Sequence, residues 1–174
     1  LPKFLYTKHG LDLLHVGLPL IVIYLMSDAG SVAGGWLSSS MIKRGVAVNR
    51  ARKTALFVCA CGMLPVIFAQ NSSNLWVAIL ILGLATASHQ GFSSNLYTLV
   101  SDMFPKNSVA SVAGFGGTFG YLGATLFQPF VGYMVEGKGN YTVPFLCAGL
   151  AYLAAFAVIQ GLAPRLEPID PRRH

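Results

Sequence analysis

Between residues 75 and 105 an apolar run, LWVAILILGLATAS, gives way to HQGFSSN and then to LYTLVSDMFP. His89, Gln90, Ser93, Ser94, Asn95 and Tyr97 put an imidazole, amides, hydroxyls and a phenol close together where hydrocarbon would be expected. Amides both donate and accept, so Asn and Gln can bridge neighbouring hydroxyls. An imidazole can meet a carboxylate or carry a proton near neutral pH. The set suits a polyhydroxylated solute that carries an acid. At helical spacing His89 and Ser93 share one face, and Gln90, Ser94 and Tyr97 share the next. The same groups could instead bond neighbouring helices, and both readings stand at this point. Asp28 is a further ionisable group inside an apolar run, about 20 Å along a continuous helix from Lys43. Ionisable groups at such depth commonly bind solute or protons, or bond a neighbouring helix. Ser/His/Asp spacing, paired carboxylates and Cys/His ligand clusters are missing from the sequence, so an enzyme is not expected, nor a metal or other cofactor.

The elements that carry these residues follow from composition. The 174 residues are 54% hydrophobic and 10% charged, with a mean hydropathy of +0.60. Soluble domains are about 25% charged. The balance points to an all-α polytopic membrane protein, and 19 glycines suit helices packed closely in lipid. Cys59, Cys61 and Cys147 lie in apolar runs without redox spacing and read as membrane-core residues.

Five complete spans are expected, over residues 13–41, 54–70, 75–102, 109–135 and 141–162, and the second could begin a turn earlier because Arg and Lys can snorkel. Pro19 should bend the first, and the Gly30, Gly34 pair and Gly35 should allow another helix close to it. Residues 43–53, KRGVAVNRARK, read as a basic loop. Its shortness between two spans argues against nucleic acid as a partner. Glycines 114, 116, 117, 120 and 123 give the fourth span a surface for close packing or a flexible gate. Asp102, just before Pro105, reads as a helix-end clamp. Tyr24, Trp36, Tyr121 and Gln128 could also face a cavity. The fifth span looks like peripheral scaffold.

Loop charge sets the orientation. Lys43, Arg44, Arg50, Arg52, Lys53, Lys106, Arg165, Arg172 and Arg173 fall on one side, and Lys3, Lys8 and Lys138 on the other. The richer side, with the 43–53 loop and the tail, should be cytoplasmic. The chain starts LPKFLYTKHG without Met, so it is expected to be part of something longer.

DAGSVAGGWLSSSMIKRG, HQGFSSNLYTLVSDMFPK and SVAGFGGTFGYLGATLFQPFVGY together resemble the major facilitator superfamily, and within it the anion:cation symporters that include bacterial hexuronate (glucuronate and galacturonate) transporters. HQGFSSNLYTLVSDMFP carries the most specific part of the likeness. The resemblance implies the C-terminal half of a twelve-helix fold. Residues 1–12 would end helix seven and form an outer loop, 13–163 would hold five transmembrane helices of the C-terminal six-helix half, and 164–174 would be a cytoplasmic tail. It implies proton-coupled secondary transport of hexuronates or related sugar acids across the bacterial inner membrane. The partners would be the sugar-acid anion, the proton, membrane lipid and an N-terminal six-helix half. That missing half would hold most of the family's anion-binding arginines and coupling acids. Gln90 and Asn95 would lie near the sugar-acid site. Gly117 stands where related carriers use Asn. Ser38 to Ser40 stand where the family's motif has an acid, which argues against a charge lock at the basic turn. The alternatives are a symporter for another organic anion or phosphate, and a membrane scaffold that transports nothing.

Overall fold

A computed structural model describes residues 2–11, 15–137 and 141–166, and every regular element among them is helical. The helices are α1 (Pro2–His9), α2 (Gly17–Lys43), α3 (Val48–Met63), α4 (Leu75–Met103), α5 (Lys106–Gly132) and α6 (Thr142–Leu162). Four segments are long and apolar enough to cross a membrane: Gly17–Lys43, Val48–Asn71, Leu75–Met103 and Thr142–Leu162. At 27 residues α5 is as long as α2, but its glycines and hydroxyls leave it less apolar than those four. The expected start of the first span at 13, most of the loop at 136–140 and the tail beyond 166 lie outside the described residues.

Local chemistry moves several expected boundaries. Pro19 falls in the first turn of α2, where backbone N–H groups have no intrahelical partner. It therefore starts the helix rather than bending it. The basic stretch is not one loop. The turn is 44–47, made possible by Gly45 at φ +86°, and Arg50, Arg52 and Lys53 already belong to α3. The charged ends of Arg52 and Lys53 reach polar partners, whereas Arg50 is exposed. Pro65 falls where the α-helix tightens into a 3₁₀ helix, Leu64–Asn71. Asn74 then caps α4, its side-chain oxygen accepting from Trp76 N at 2.9 Å and Val77 N at 3.3 Å. In α5 the helix continues past Pro129 and widens into a π turn, Tyr133–Gly137.

The spine of the bundle is the α2–α4 pair. Gly30 lies against Ala87 and Gly34 against Gly91, so the small residues recur every fourth position on both helices. A Cβ added at Gly30 would sit 2.3 Å from Ala87 O, and one at Gly34 would sit 2.5 Å from Gly91 Cα. The backbones therefore touch, with dispersion contact replacing the hydrophobic drive that lipid removes. The paired positions advance together, so α2 and α4 run parallel. Higher on the pair, Ile23, Ile79 and Leu82 are buried, with Ala78 and Ala85 beside them.

Around this spine α3 packs Leu56, Cys59 and Ala60 toward Phe92 and Leu99 of α4. α6 covers α3 and the 3₁₀ helix. Its end is tied down by Lys53, whose ammonium donates to Ala163 O at 2.7 Å and Pro164 O at 2.8 Å. A cation on the terminal carbonyls also complements the helix dipole. α1 buries Phe4 and Leu5 at the opposite end of α6. None of the described residues of α5 up to Phe130 is buried, and its glycines 114, 116, 117, 120 and 123 meet nothing within 4 Å. The close packing expected for that glycine surface is not made by the described residues.

Candidate solute site

The polar middle of α4 is divided between two neighbouring helices and an unbonded face. Asn95 is fully buried, and its side-chain nitrogen donates to Gly34 O at 2.8 Å and Gly91 O at 2.9 Å. It fastens α4 to α2 at the glycine contact, while its own carbonyl oxygen stays buried without a partner among the described residues. Ser94 turns the same way, donating to Gly91 O at 3.1 Å with Ser31 O of α2 at 3.3 Å. His89 points elsewhere: Nδ1 is hydrogen-bonded to the Tyr152 hydroxyl of α6, with the rings edge-on at 5.8 Å. Phe92 closes on the same phenol at 5.1 Å.

Gln90, Ser93 and Tyr97 remain. Gln90 and Ser93 are half-buried, Tyr97 is 56% exposed, and none of the three side chains makes a hydrogen bond to a described residue. The helical turn brings them to one side of α4 because Gln90 and Tyr97 are two turns apart and Ser93 lies between. The structure thus groups Gln90 with Ser93 and Tyr97, rather than with Ser94, and sends His89 and Asn95 to α6 and α2. Asp28 is exposed on α2, with no ion pair or hydrogen bond among the described residues. Tyr24 and Trp36 are exposed on α2 at 64% and 65%, and Tyr121 on α5 at 81%. Free amide, hydroxyl and phenol groups at mid-helix can donate to and accept from a solute. Among the described residues no three His, Cys, Asp or Glu side chains gather to hold a metal ion.

Sequence reasoning missed the junction where three helices end. Arg52 of α3 donates from Nε to Asp102 Oδ2 at 2.9 Å and from Nη1 to Ser38 Oγ at 2.7 Å. A charge lock therefore exists at the basic turn, and that expectation is corrected. Its acid comes from the end of α4, while Ser38 supplies a hydroxyl from α2. Asp102 is the helix-end clamp expected of it. The signal for Arg52 was masked because the basic segment had a sufficient explanation in membrane orientation. Tyr152 was also missed: a phenol in the middle of a bland span marks a partner only once its neighbour is known.

Comparison with known proteins places this arrangement. The chain is similar to the probable galactarate/D-glucarate transporter of Escherichia coli (strain K12), at 25% identity over 169 residues, 95% of this chain and 38% of that protein. It is 30% identical over 141 residues to the hexuronate transporter of the same strain, covering 80% of this chain and 32% of the relative. It is also 30% identical over 154 residues to a probable sulfoacetate transporter of Cupriavidus necator, covering 86% and 35%. The chain thus spans about a third of the length of these relatives. Such relatives are transporters and not enzymes, and the apolar helices make this an integral membrane protein. The family model of the Major Facilitator Superfamily matches residues 1–128, and the chain belongs to that superfamily.

Proposed function

We propose that this chain is the C-terminal membrane portion of a proton-coupled secondary transporter for hexuronates or related sugar acids. The observation that carries the reading is the unpaired face of Gln90, Ser93 and Tyr97 on α4. Unbonded amide and hydroxyl groups at mid-span are costly against lipid. They are accommodated where they line a watery route and meet a hydroxylated solute. The names of two relatives, for galactarate/D-glucarate and for hexuronate, support a sugar carboxylate as that solute. In this proposal α5 crosses the membrane as well, and its exposed surface meets other helices of the complete carrier. The 44–47 turn and the tail face the cytoplasm of a bacterial inner membrane, and an N-terminal half completes the site. Asp28 is the candidate for proton coupling on this chain, and His89 and Asn95 shape the site from its edges.

A second reading has one observation in its favour, the likeness to a probable sulfoacetate transporter. The test of both is uptake by the complete protein in proteoliposomes, with labelled glucuronate and with glucarate and sulfoacetate as competitors. Acid-sugar uptake driven by an imposed proton gradient supports the proposal. Competition by sulfoacetate alone moves the substrate to another organic anion. No uptake of any of them, with insertion verified, sinks the transport reading.

A further inference from the structure

A cavity of about 260 Å³ lies away from the α4 face, where α1, the last turn of α5 with its π turn, and the start of α6 meet. Phe4, Tyr141 and Phe145 form its aromatic wall, and the Phe4 ring stands edge-on to each of the other two at 5.2 Å. Gln128 of α5 also lines it. At the rim Lys3 is paired with Glu136, their side chains 57% and 69% exposed. Tyr141 keeps its hydroxyl oxygen buried without a hydrogen-bond partner among the described residues. A buried polar atom of that kind is uncommon and calls for an explanation, of which a bound molecule is one.

These groups share one chemistry. The aromatic wall offers apolar cover, and two neutral polar groups offer directed hydrogen bonds. The cation at the mouth is held by an exposed carboxylate, a pairing that costs little to exchange. The volume is just under the ~300 Å³ at which pockets for drug-sized ligands begin. A monosaccharide acid fits that size. Loop charge puts this end of the bundle on the outer side.

We propose that the cavity is a second, outward-facing site for the sugar acid, in which the solute carboxylate replaces Glu136 on Lys3 while Tyr141 and Gln128 bond its hydroxyls. The site captures solute before it reaches the α4 face, and Glu136 acts as a built-in competitor. This rests on the sugar-acid reading above.

The two partners of the ion pair make opposite predictions. In the complete carrier, reconstituted in vesicles of fixed lipid composition, Lys3→Gln raises the half-saturating glucuronate concentration roughly threefold. Glu136→Gln lowers it by a similar factor, because it removes the competitor and leaves the cation. Lys3→Arg keeps it near the parent value, and maximal rates change little. Tyr141→Phe, which spares the ion pair, also raises it. Equal shifts in one direction for Lys3→Gln and Glu136→Gln, or none, overturn the proposal and leave the pair as a structural tie. A dependence on anionic lipid that Lys3→Gln abolishes, with half-saturation unmoved, assigns the cavity to lipid and overturns it too. Failure of the parent protein to take up any sugar acid removes the transport reading itself, a result distinct from unshifted half-saturation.

Discussion

Arg52 and Asp102 are fifty residues apart in sequence and meet with Nε 2.9 Å from Oδ2. The arginine side chain is 10% exposed and the carboxylate 31%. The planar guanidinium spends its other edge on Ser38 Oγ. One side chain thus holds the ends of α2, α3 and α4 together, in a geometry that needs two donors fixed at an angle.

Arg52→Lys should therefore fail to substitute. An ammonium on a flexible stem keeps the charge and loses the fork that reaches both partners. Removing one member of a buried pair costs about 3–5 kcal/mol, and the partial exposure of Asp102 brings the expectation for Arg52→Met to about 2 kcal/mol. Thermal unfolding in detergent should show Arg52→Lys nearer to Arg52→Met than to the parent. A lysine variant as stable as the parent would mean that only the charge matters there.

The α2–α4 contact makes a paired prediction. Gly34→Val drives a methyl group into Gly91, where an added Cβ has only 2.5 Å, against backbone that cannot yield. Overpacking of this kind typically costs 1–3 kcal/mol. Gly35 has nothing within 4 Å, so Gly35→Val should insert and melt like the parent apart from a small helix-propensity change. Membrane abundance and melting temperature check the pair. Equal behaviour of the two variants would show that the helices do not meet at Gly34.

Gln90 and Asn95 should separate stability from transport. Asn95 spends its amide on Gly34 O and Gly91 O, so Asn95→Ala should lower the melting temperature through about 1 kcal/mol, the modest worth of hydrogen bonds in membranes. Gln90 bonds no described residue, and Gln90→Ala should leave the melting temperature unchanged while weakening glucuronate uptake. A destabilised Gln90→Ala with parental uptake kinetics would make Gln90 a packing group.

The Lys3–Glu136 pair makes α1 docking sensitive to acid and to salt. The hydrogen bond from Lys3 and its charge hold the Glu136 carboxyl below the ordinary carboxylate range. A carboxyl depressed in the folded state binds fewer protons there than in the unfolded chain, so its contribution is complete above the unfolded pKa, about 4.3. It is lost as pH falls further, through the folded value. Hydrogen exchange of α1 amides should quicken below about pH 4.3, and added salt should shrink the difference from Glu136→Gln. Exchange that is the same in Glu136→Gln and the parent at every pH would remove this tie.

Much of the fold is legible in the residues because lipid leaves few choices. Apolar runs of about twenty residues must close their own backbone hydrogen bonds, so α2, α4 and α6 announce themselves. The glycine pair at 30 and 34 was readable as a contact surface, though not the partner it meets. Boundaries were less legible where one residue type serves two purposes. Arg52 and Lys53 look like loop residues by charge, yet stand in α3 because their partners Asp102 and the end of α6 are near.

The polar set on α4 shows the division most plainly. Sequence by itself determined that His89, Gln90, Ser93, Ser94, Asn95 and Tyr97 share the middle of one helix in an apolar protein, since spacing along a helix is a local property. It also carried the family likeness, since motifs are strings of residues. Only the tertiary structure decided that Asn95 turns to α2, that His89 meets Tyr152, and that Gln90, Ser93 and Tyr97 are left without partners among the described residues. The physical reason is that a hydrogen bond needs two groups. The second group for each of these side chains comes from another helix, dozens of residues away, whose place is set by packing rather than by the local sequence.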